Sequence, residues 1–180
     1  IKYIDTLKPD IIHLRNLHGN YINLGMLFKY ISDNNLPTVI TLHDAWFYTG
    51  KCCFYTEANC FRWQEECGSC PQLKKDNPSW FIDRTRRNLL DKKVWMQGIP
   101  RLAVIGVSDW ITNEARKSIL SSANIISRIY NWIDLDKFKP TETASMRESM
   151  DLIDDFLITG VASIWEKRKG LDKFIELSER

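Results

Sequence analysis

A histidine and an aspartate stand side by side directly after an apolar segment of this chain. His43 and Asp44 follow Thr38–Leu42, a run of apolar and β-branched residues that predicts a buried strand. In an open α/β sheet, ligands bind in the crevice beyond the carboxyl ends of the strands. A neutral imidazole in that place can donate or accept a hydrogen bond to a ligand hydroxyl. Asp44 has two equally good interpretations, since it either orients the His43 ring or caps the following turn.

A second polar loop, RNLHGN, follows another predicted strand, Asp10–Leu14. It offers Arg15, Asn16 and His18 as hydrogen-bonding groups at the same edge of the predicted sheet. Gly19 would let the backbone approach a ligand closely. We therefore expect ligand contacts here, with an ordinary strand-to-helix loop as the alternative.

Near its end the chain places a lysine and a glycine before a predicted helix, Gly170–Arg180. The amides and dipole at the start of a helix attract phosphate. Lys169 would add a full positive charge to that site, with Gly170 at the helix start. Arg168 is a further candidate phosphate contact, although a basic run is commonly a solvated surface.

All five cysteines lie between positions 52 and 70. Four of them form the pattern C-x7-C-x6-C-x2-C, which leaves Cys53 over. The C-x2-C half is common at structural zinc, where four thiolates close a tetrahedral site without an open position for catalysis. Free thiols and disulfides remain as alternatives. The zinc interpretation assigns the metal to Cys52, Cys60, Cys67 and Cys70.

These residues must be positioned by alternating strands and helices. The predicted strands are Asp10–Leu14, Thr38–Leu42, Leu102–Val107 and Asn124–Tyr130. The alternation predicts an α/β fold with a parallel, doubly wound, Rossmann-like sheet. Residues 45–78 are predicted to be a cysteine-rich insertion in loop form. A helix from Trp80 to Gln97, capped by Ser79, is predicted to follow it.

A polar stretch around Pro140 predicts a domain boundary. Residues 1–140 would be the latter part of an N-terminal domain. Residues 141–180 would be a linker and the start of a truncated C-terminal domain, with a strand at Phe156–Ala162 and then the last helix. A partial domain cannot bury a core of its own, so we expect low stability beyond the boundary.

The composition of the chain limits the kinds of partner that it is expected to bind. The chain has 180 residues and a formal net charge of +2, a near balance that argues against a nucleic-acid partner. It has no apolar run of about 20 residues and no visible secretory signal, so we expect a cytoplasmic protein. The helix at 80–97 combines basic and aromatic residues, which fits peripheral contact with an anionic membrane surface or a solvated face.

Three stretches in order, TLHDAWFYTGKC, NWIDLDKFKP and VASIWEKRKGLDKFIEL, resemble family-four glycosyltransferases of the GT-B fold. The cysteine segment CCFYTEANCFRWQEECGSCP resembles the subgroup that builds bacterial exopolysaccharide, capsule and colanic-acid-type chains. The resemblance covers nearly the whole chain.

The resemblance implies two Rossmann-like domains facing across a cleft, with the acceptor mostly on the N-terminal one and the nucleotide-sugar donor mostly on the C-terminal one. It implies transfer with retained anomeric configuration and without a catalytic metal. His43 would lie beside the donor sugar, and Lys169 would contact the donor diphosphate. The acceptor or sugar contacts would come from Arg15, Asn16, His18, Gly19 and Asp44. Ser163 departs from the pattern, because the family has an arginine there. The family's catalytic glutamates would lie beyond Arg180, so this chain alone is expected to be inactive.

Two other functions remain open at this point. A zinc-stabilised binding module without transferase activity would use the cysteines and the basic helix. A GT-B sugar-nucleotide epimerase would share the fold and release free sugar. The donor nucleotide, the donor sugar, the glycan or lipid-linked acceptor and the linkage are not readable from these residues.

Overall fold

The computed structural model describes residues 1–179, apart from the side chain of Lys167. The chain divides into two compact units, Ile1–Asn131 and Trp132–Arg180. The division falls shortly before Pro140, where the sequence predicts a domain boundary.

The first unit is built on a parallel sheet, as predicted. Its four strands are β1 (Ile12–Leu14), β2 (Thr38–Leu42), β3 (Leu102–Gly106) and β4 (Ile125–Arg128), and they are hydrogen-bonded in that order. The order does not reverse among the four described strands, so the reversal point of a doubly wound sheet does not lie among them and that feature stays a prediction. An alternation of strands and helices predicts parallel pairing, but it is the same whether successive strands are added on one side or on both.

Four helices accompany these strands: α1 (Lys2–Leu7), α2 (Leu24–Asp33), α3 (Thr85–Gln97) and α4 (Asp109–Arg116). Side-chain caps start two of them. Asn23 accepts a hydrogen bond from the Met26 amide at 3.0 Å at the start of α2. Ser108 accepts one from the Ile111 amide at 3.3 Å and is the N-cap of α4.

The predicted start of the third helix is wrong. Helix α3 begins at Thr85, not at Trp80. The Asp83 side chain accepts hydrogen bonds from the Thr85 amide at 2.9 Å and from its hydroxyl at 2.6 Å. Ser79 instead donates to the Ile82 carbonyl at 2.5 Å. The stronger acceptor therefore stands just before Thr85 and sets the first turn there, because a carboxylate also complements the helix dipole.

The core lies between the sheet and its helices. Alternate residues of β2 and β3 are buried, as a strand with one fully covered face requires. Phe28 of α2 stacks on Trp95 of α3 with ring centroids 5.5 Å apart, so these two helices pack against each other. At the end of β3, a Cβ on Gly106 would overlap Thr112, and the glycine thus allows α4 to approach the strand closely.

The second unit contains α5 (Ala144–Ser149) and α6 (Leu171–Ser178). The predicted strand Phe156–Ala162 is wrong, since no strand is present there, and Phe156 and Val161 are 91% and 98% exposed. A strand needs a neighbour for its backbone hydrogen bonds, and among the described residues this unit holds no other strand. Trp165 and Phe174 pack edge to face, with centroids 5.5 Å apart.

Candidate functional site

At the C-terminal end of β2, the side-chain carboxylate of Asp44 contacts two loops. Asp44 accepts a hydrogen bond from the Trp46 amide at 2.9 Å, which caps the turn after the strand. Its other oxygen lies 3.4 Å from Nε2 of His18, in the loop after β1. The sequence did not predict the pairing of His18 with Asp44. The signal for it was that both residues follow neighbouring parallel strands.

His43 is half-buried at the same edge of the sheet. Burial lowers the pKa of His43, the nearby Arg15 cation lowers it further, and the Asp44 carboxylate opposes both. The imidazole is therefore neutral over a wider pH range than a solvated histidine. A neutral ring can serve a hydroxyl-bearing ligand as hydrogen-bond donor or acceptor.

The RNLHGN loop turns back sharply after β1. Asn16 and Asn20 have left-handed backbone conformations, with φ of 49° and 56°. At Gly19, a Cβ would stand 3.0 Å from the Tyr21 ring. The absence of a side chain at Gly19 thus allows the Tyr21 ring to pack closely within the loop. Arg15 is exposed, and His18 faces Asp44 and lies edge to face with Trp46 at 6.1 Å.

A cleft of about 310 Å³ opens beside this loop, a size that suits a small ligand. His18, Trp46 and Trp95 supply aromatic walls, and Arg84 and Asn88 supply polar groups. His43 is not among the residues that line it. The cleft thus combines aromatic side chains with hydrogen-bonding groups.

Lys92 also lines the cleft, and its burial differs from the membrane-facing or solvated position that the sequence predicts for the basic residues of this helix. Its amino group is buried, donates to the carbonyls of Trp46 and Thr49, and lies 3.5 Å from the centre of the Trp46 ring. Burial lowers the pKa of Lys92 to about 7. The spacing could have revealed it, because Leu89, Lys92 and Met96 recur on the buried face of α3.

The exposed side of α3 is partly neutralised. Arg86 pairs with Glu66, and Arg87 pairs with Asp91 at 2.8 Å. Trp80 and Phe81 precede the helix and are exposed. Within the described residues, none of the helices has the length and apolarity that crossing a bilayer requires.

All five cysteines are free thiols. Cys52, Cys60, Cys67 and Cys70 line one small cavity. Cys53 lies elsewhere, where its sulfur, a His18 nitrogen and an Asp44 oxygen are all within 4.8 Å of one another. Burial raises the pKa of Cys52 to about 12 and also raises the pKa of Cys53 and Cys67. Since reactive cysteines need a lowered pKa, these thiols are not candidate nucleophiles.

The candidate phosphate residues lie in the second unit. Gly170 is the N-cap of α6 and adopts a left-handed conformation with φ of 76°. The amide of Lys169 donates to the Glu166 carbonyl at 2.8 Å. Arg168 is bonded to the Glu166 carboxylate at 2.7 Å, so part of its charge is already compensated. Lys169 is exposed and stands directly before the helix start.

One curated protein shows similarity to this chain over 93 residues, with 32% identity. It comes from Escherichia coli (strain K12) and carries the provisional name colanic acid biosynthesis glycosyl transferase WcaC. The match covers 49% of this chain and 22% of that protein. No protein-family model matches the chain. No solved structure matches it either.

Proposed function

We propose that this chain is part of a glycosyltransferase that moves a sugar from a nucleotide-sugar donor to a glycan or lipid-linked acceptor in bacterial surface polysaccharide synthesis. The similarity over 93 residues to the provisionally named colanic acid biosynthesis glycosyl transferase WcaC carries the proposal. The parallel α/β sheet, with polar residues at the carboxyl ends of its strands, is compatible with it.

The first unit would supply the acceptor side of the reaction. The cleft beside His18 and Trp46 would hold an acceptor sugar, because aromatic faces pack against sugar rings while polar groups bond their hydroxyls. Arg15, Asn16 and Gly19 would border that site. Asp44 would hold His18 in place through the 3.4 Å contact. His43 would hydrogen-bond the donor sugar as a neutral imidazole.

The second unit would supply part of the donor side. The first-turn amides of α6 and the amino group of Lys169 would bind the donor diphosphate. Gly170 leaves that helix start without a side chain in the way. Arg168 would contribute less than Lys169, because it is already bonded to Glu166. Stabilising the departing nucleotide is a step at which such contacts raise the rate.

We further propose that the enzyme has the GT-B fold, retains the anomeric configuration of the transferred sugar and needs no catalytic metal. It would work in the cytoplasm, with the basic and aromatic segment around α3 touching the membrane that carries a lipid-linked acceptor. These features rest on the sequence resemblance alone.

The test uses the full-length protein that contains this chain. A panel of nucleotide sugars is offered with and without acceptor glycan, and release of nucleoside diphosphate is measured. We expect Lys169→Ala to lower kcat/KM for the donor about 100-fold. Lys173→Ala is the matched control, because it removes the same charge from α6, where Lys173 pairs with Glu176. It should stay within about twofold of the unchanged protein.

Three outcomes would contradict the proposal. Equal losses in both variants would show that only net charge matters and that Lys169 has no special place. Release of free sugar without any need for acceptor would favour an epimerase. Absence of donor binding, together with salt-sensitive binding to random DNA, would favour a binding module.

A further inference from the structure

Three side chains of different metal-ligating types meet beside the C-terminal end of β2. The sulfur of Cys53, a ring nitrogen of His18 and a carboxylate oxygen of Asp44 all lie within 4.8 Å of one another. In the part of the chain that the structure describes, no three sulfurs of the other four cysteines lie as close together, so the four-thiol zinc set stays a prediction from the sequence. The group of His18, Asp44 and Cys53 is therefore the better candidate for a metal ion.

The separation of His18 and Asp44 suits two ligands of one ion. Nε2 of His18 lies 3.4 Å from Oδ2 of Asp44, which is longer than the range of about 2.7–3.2 Å for a hydrogen bond between nitrogen and oxygen. Two such ligands of a tetrahedral zinc, each about 2.0–2.1 Å from the ion, are about 3.4 Å apart. A sulfur at about 2.3 Å from the ion would lie about 3.6 Å from each of them, so closing around an ion needs a contraction of about 1 Å at most.

Contacts with neighbouring residues hold these ligands in place. The Oδ1 atom of Asp44 accepts a hydrogen bond from the Trp46 amide at 2.9 Å, which leaves Oδ2 for the ion. The side-chain amide of Asn77 donates to the sulfur of Cys53 at 3.4 Å. The Ala45 amide donates to the Cys53 carbonyl at 3.0 Å and so brings the cysteine-rich loop back to the end of β2. Hydrogen bonds of this kind orient the ligands of built metal sites.

The charges of the group balance around a divalent ion. One thiolate and one carboxylate neutralise two positive charges, and a neutral imidazole adds none. The buried amino group of Lys92 interacts electrostatically with Cys53 and Asp44. Because burial lowers the pKa of Lys92 to about 7, this amino group can become neutral when a cation binds beside it.

We propose that His18, Asp44 and Cys53 bind one zinc ion, which links the loop after β1 to the loop after β2. Sulfur and imidazole ligands favour zinc over magnesium or calcium. The Cys53 thiol releases its proton as the ion binds. Three protein ligands leave the fourth position of a tetrahedral zinc to water or to an oxygen of a ligand in the cleft, which His18 also lines. The ion would fix the cleft wall formed by His18 and Trp46, and it would stand apart from the sugar-transfer step.

The experiment uses the full-length protein, freed of metal by a chelator and titrated with cobalt(II) as a spectroscopic substitute for zinc. We expect one cobalt per chain, with the visible bands of a tetrahedral ion and the charge-transfer band of a thiolate ligand, and we expect zinc to displace it. Cys53→Ser should remove the charge-transfer band and, like His18→Ala, weaken zinc binding at least about tenfold. The matched controls Cys60→Ser and His13→Ala should bind zinc as the unchanged protein does, because neither side chain belongs to the group.

Each opposite result overturns the proposal. Zinc lost in Cys60→Ser but kept in Cys53→Ser and His18→Ala would place the metal at the other thiols. Equal binding in all variants would show adventitious metal only, and no binding by the unchanged protein would exclude the site. If Cys53→Ser fails to fold, X-ray absorption of the zinc-loaded unchanged protein still decides, because the site requires one sulfur at about 2.3 Å among nitrogen and oxygen neighbours. These measurements need no sugar donor, so they fail or succeed separately from the proposed transferase activity.

Discussion

The cysteine-rich loop (residues 45–78) and the segment from 132 to 166 both lack β-strands, yet only the first contains buried residues. Every residue from Ala45 to Cys53 is buried. In the segment from 132 to 166, no residue that the structure describes is buried. Ala45–Cys53 is mostly apolar and has Lys51 as its one charged residue, whereas the segment from 132 to 166 is rich in charged residues, so composition contributes to the difference. The two stretches also differ in which atoms their hydrogen bonds join.

The cysteine-rich loop is held by contacts between distant residues. The amino group of Lys51 lies within hydrogen-bonding distance of four carbonyls between Leu73 and Asn77, the shortest at 2.5 Å to Lys75. Asp76 accepts from the amides of Cys53 and, at 3.1 Å, Phe54. These bonds replace the ladder that a strand would provide, and they allow irregular backbone to be buried.

The segment from 132 to 166 uses mostly local bonds. Asp134 accepts from the amides of Asp136 at 3.1 Å and Lys137 at 3.2 Å, two and three residues away. Such hydrogen bonds stabilise a local turn but do not link it to residues distant in the sequence. In this chain, the buried irregular segment is the one whose polar side chains bond to residues distant in sequence.

The largest expected effect comes from removing the central amino group of the cysteine-rich loop. Lys51→Met keeps the apolar stem and leaves a group of inward-facing carbonyls without their donor. We expect it to lower the free energy of unfolding by about 3 kcal/mol. Urea unfolding followed by the fluorescence of the buried Trp46 and Trp63 measures the change. Lys75→Met is the control, because Lys75 is exposed and contributes only its carbonyl.

A loss below about 0.5 kcal/mol in Lys51→Met would contradict this account. It would mean that the loop is ordered by its apolar contacts alone and that the buried amino group is incidental.

A matched pair of aspartates tests the comparison directly. Asp76→Ala and Asp134→Ala each remove a carboxyl group that accepts two backbone amides. We expect a loss of about 2 kcal/mol for the first, whose partners are distant in sequence, and less than about 0.5 kcal/mol for the second. The same unfolding experiment measures both. Similar losses in the two variants would remove the distinction between long-range and local bonds.

The smallest effect concerns the pH dependence of stability at His43. Because its pKa is lowered in the folded state, the unfolded chain binds more protons as the pH falls through the window between the ordinary value of about 6.5 and the lowered value. The free energy of unfolding that is linked to His43 is therefore fully present above about pH 6.5, and it is lost as the pH falls through the lowered pKa of His43. His43→Gln removes this titration while it keeps a hydrogen-bonding side chain.

We expect the unchanged protein to lose stability relative to His43→Gln between about pH 8 and about pH 5, by less than about 1 kcal/mol because solvent screens the site. Urea unfolding at both pH values measures it. A pH dependence that is the same in both proteins would show that burial of this ring is too slight to matter.

Much of the first unit was predictable, and its failures are local. The four strands were recognised because apolar, β-branched runs stand out against polar loops. The start of α3 was misplaced because Ser79 and Asp83 are both good caps, and only the folded chain shows which of them meets a free amide. Phe156–Ala162 has the composition of a strand, but composition does not supply the neighbour that a strand needs.

The candidate site was predictable residue by residue but not as an arrangement. His43, Asp44 and His18 were chosen for their chemistry and their places after strands. The contact of Asp44 with His18, and the buried Lys92 under Trp46, depend on distances across the fold. The helical periodicity of α3 indicates that Lys92 is buried, but the charge of its side chain favours a surface position.

The sequence by itself determined the alternation of strands and helices, the parallel pairing that follows from it, and the concentration of cysteines in one loop. These features depend on local periodicity and composition, which are properties of neighbouring residues. Tertiary structure alone decided that the strands are added in one direction, that four thiols share a cavity while Cys53 does not, and that Lys51 and Lys92 are buried. The physical reason is that burial and hydrogen-bond partners are set by contacts between residues far apart in the chain, which no local pattern contains.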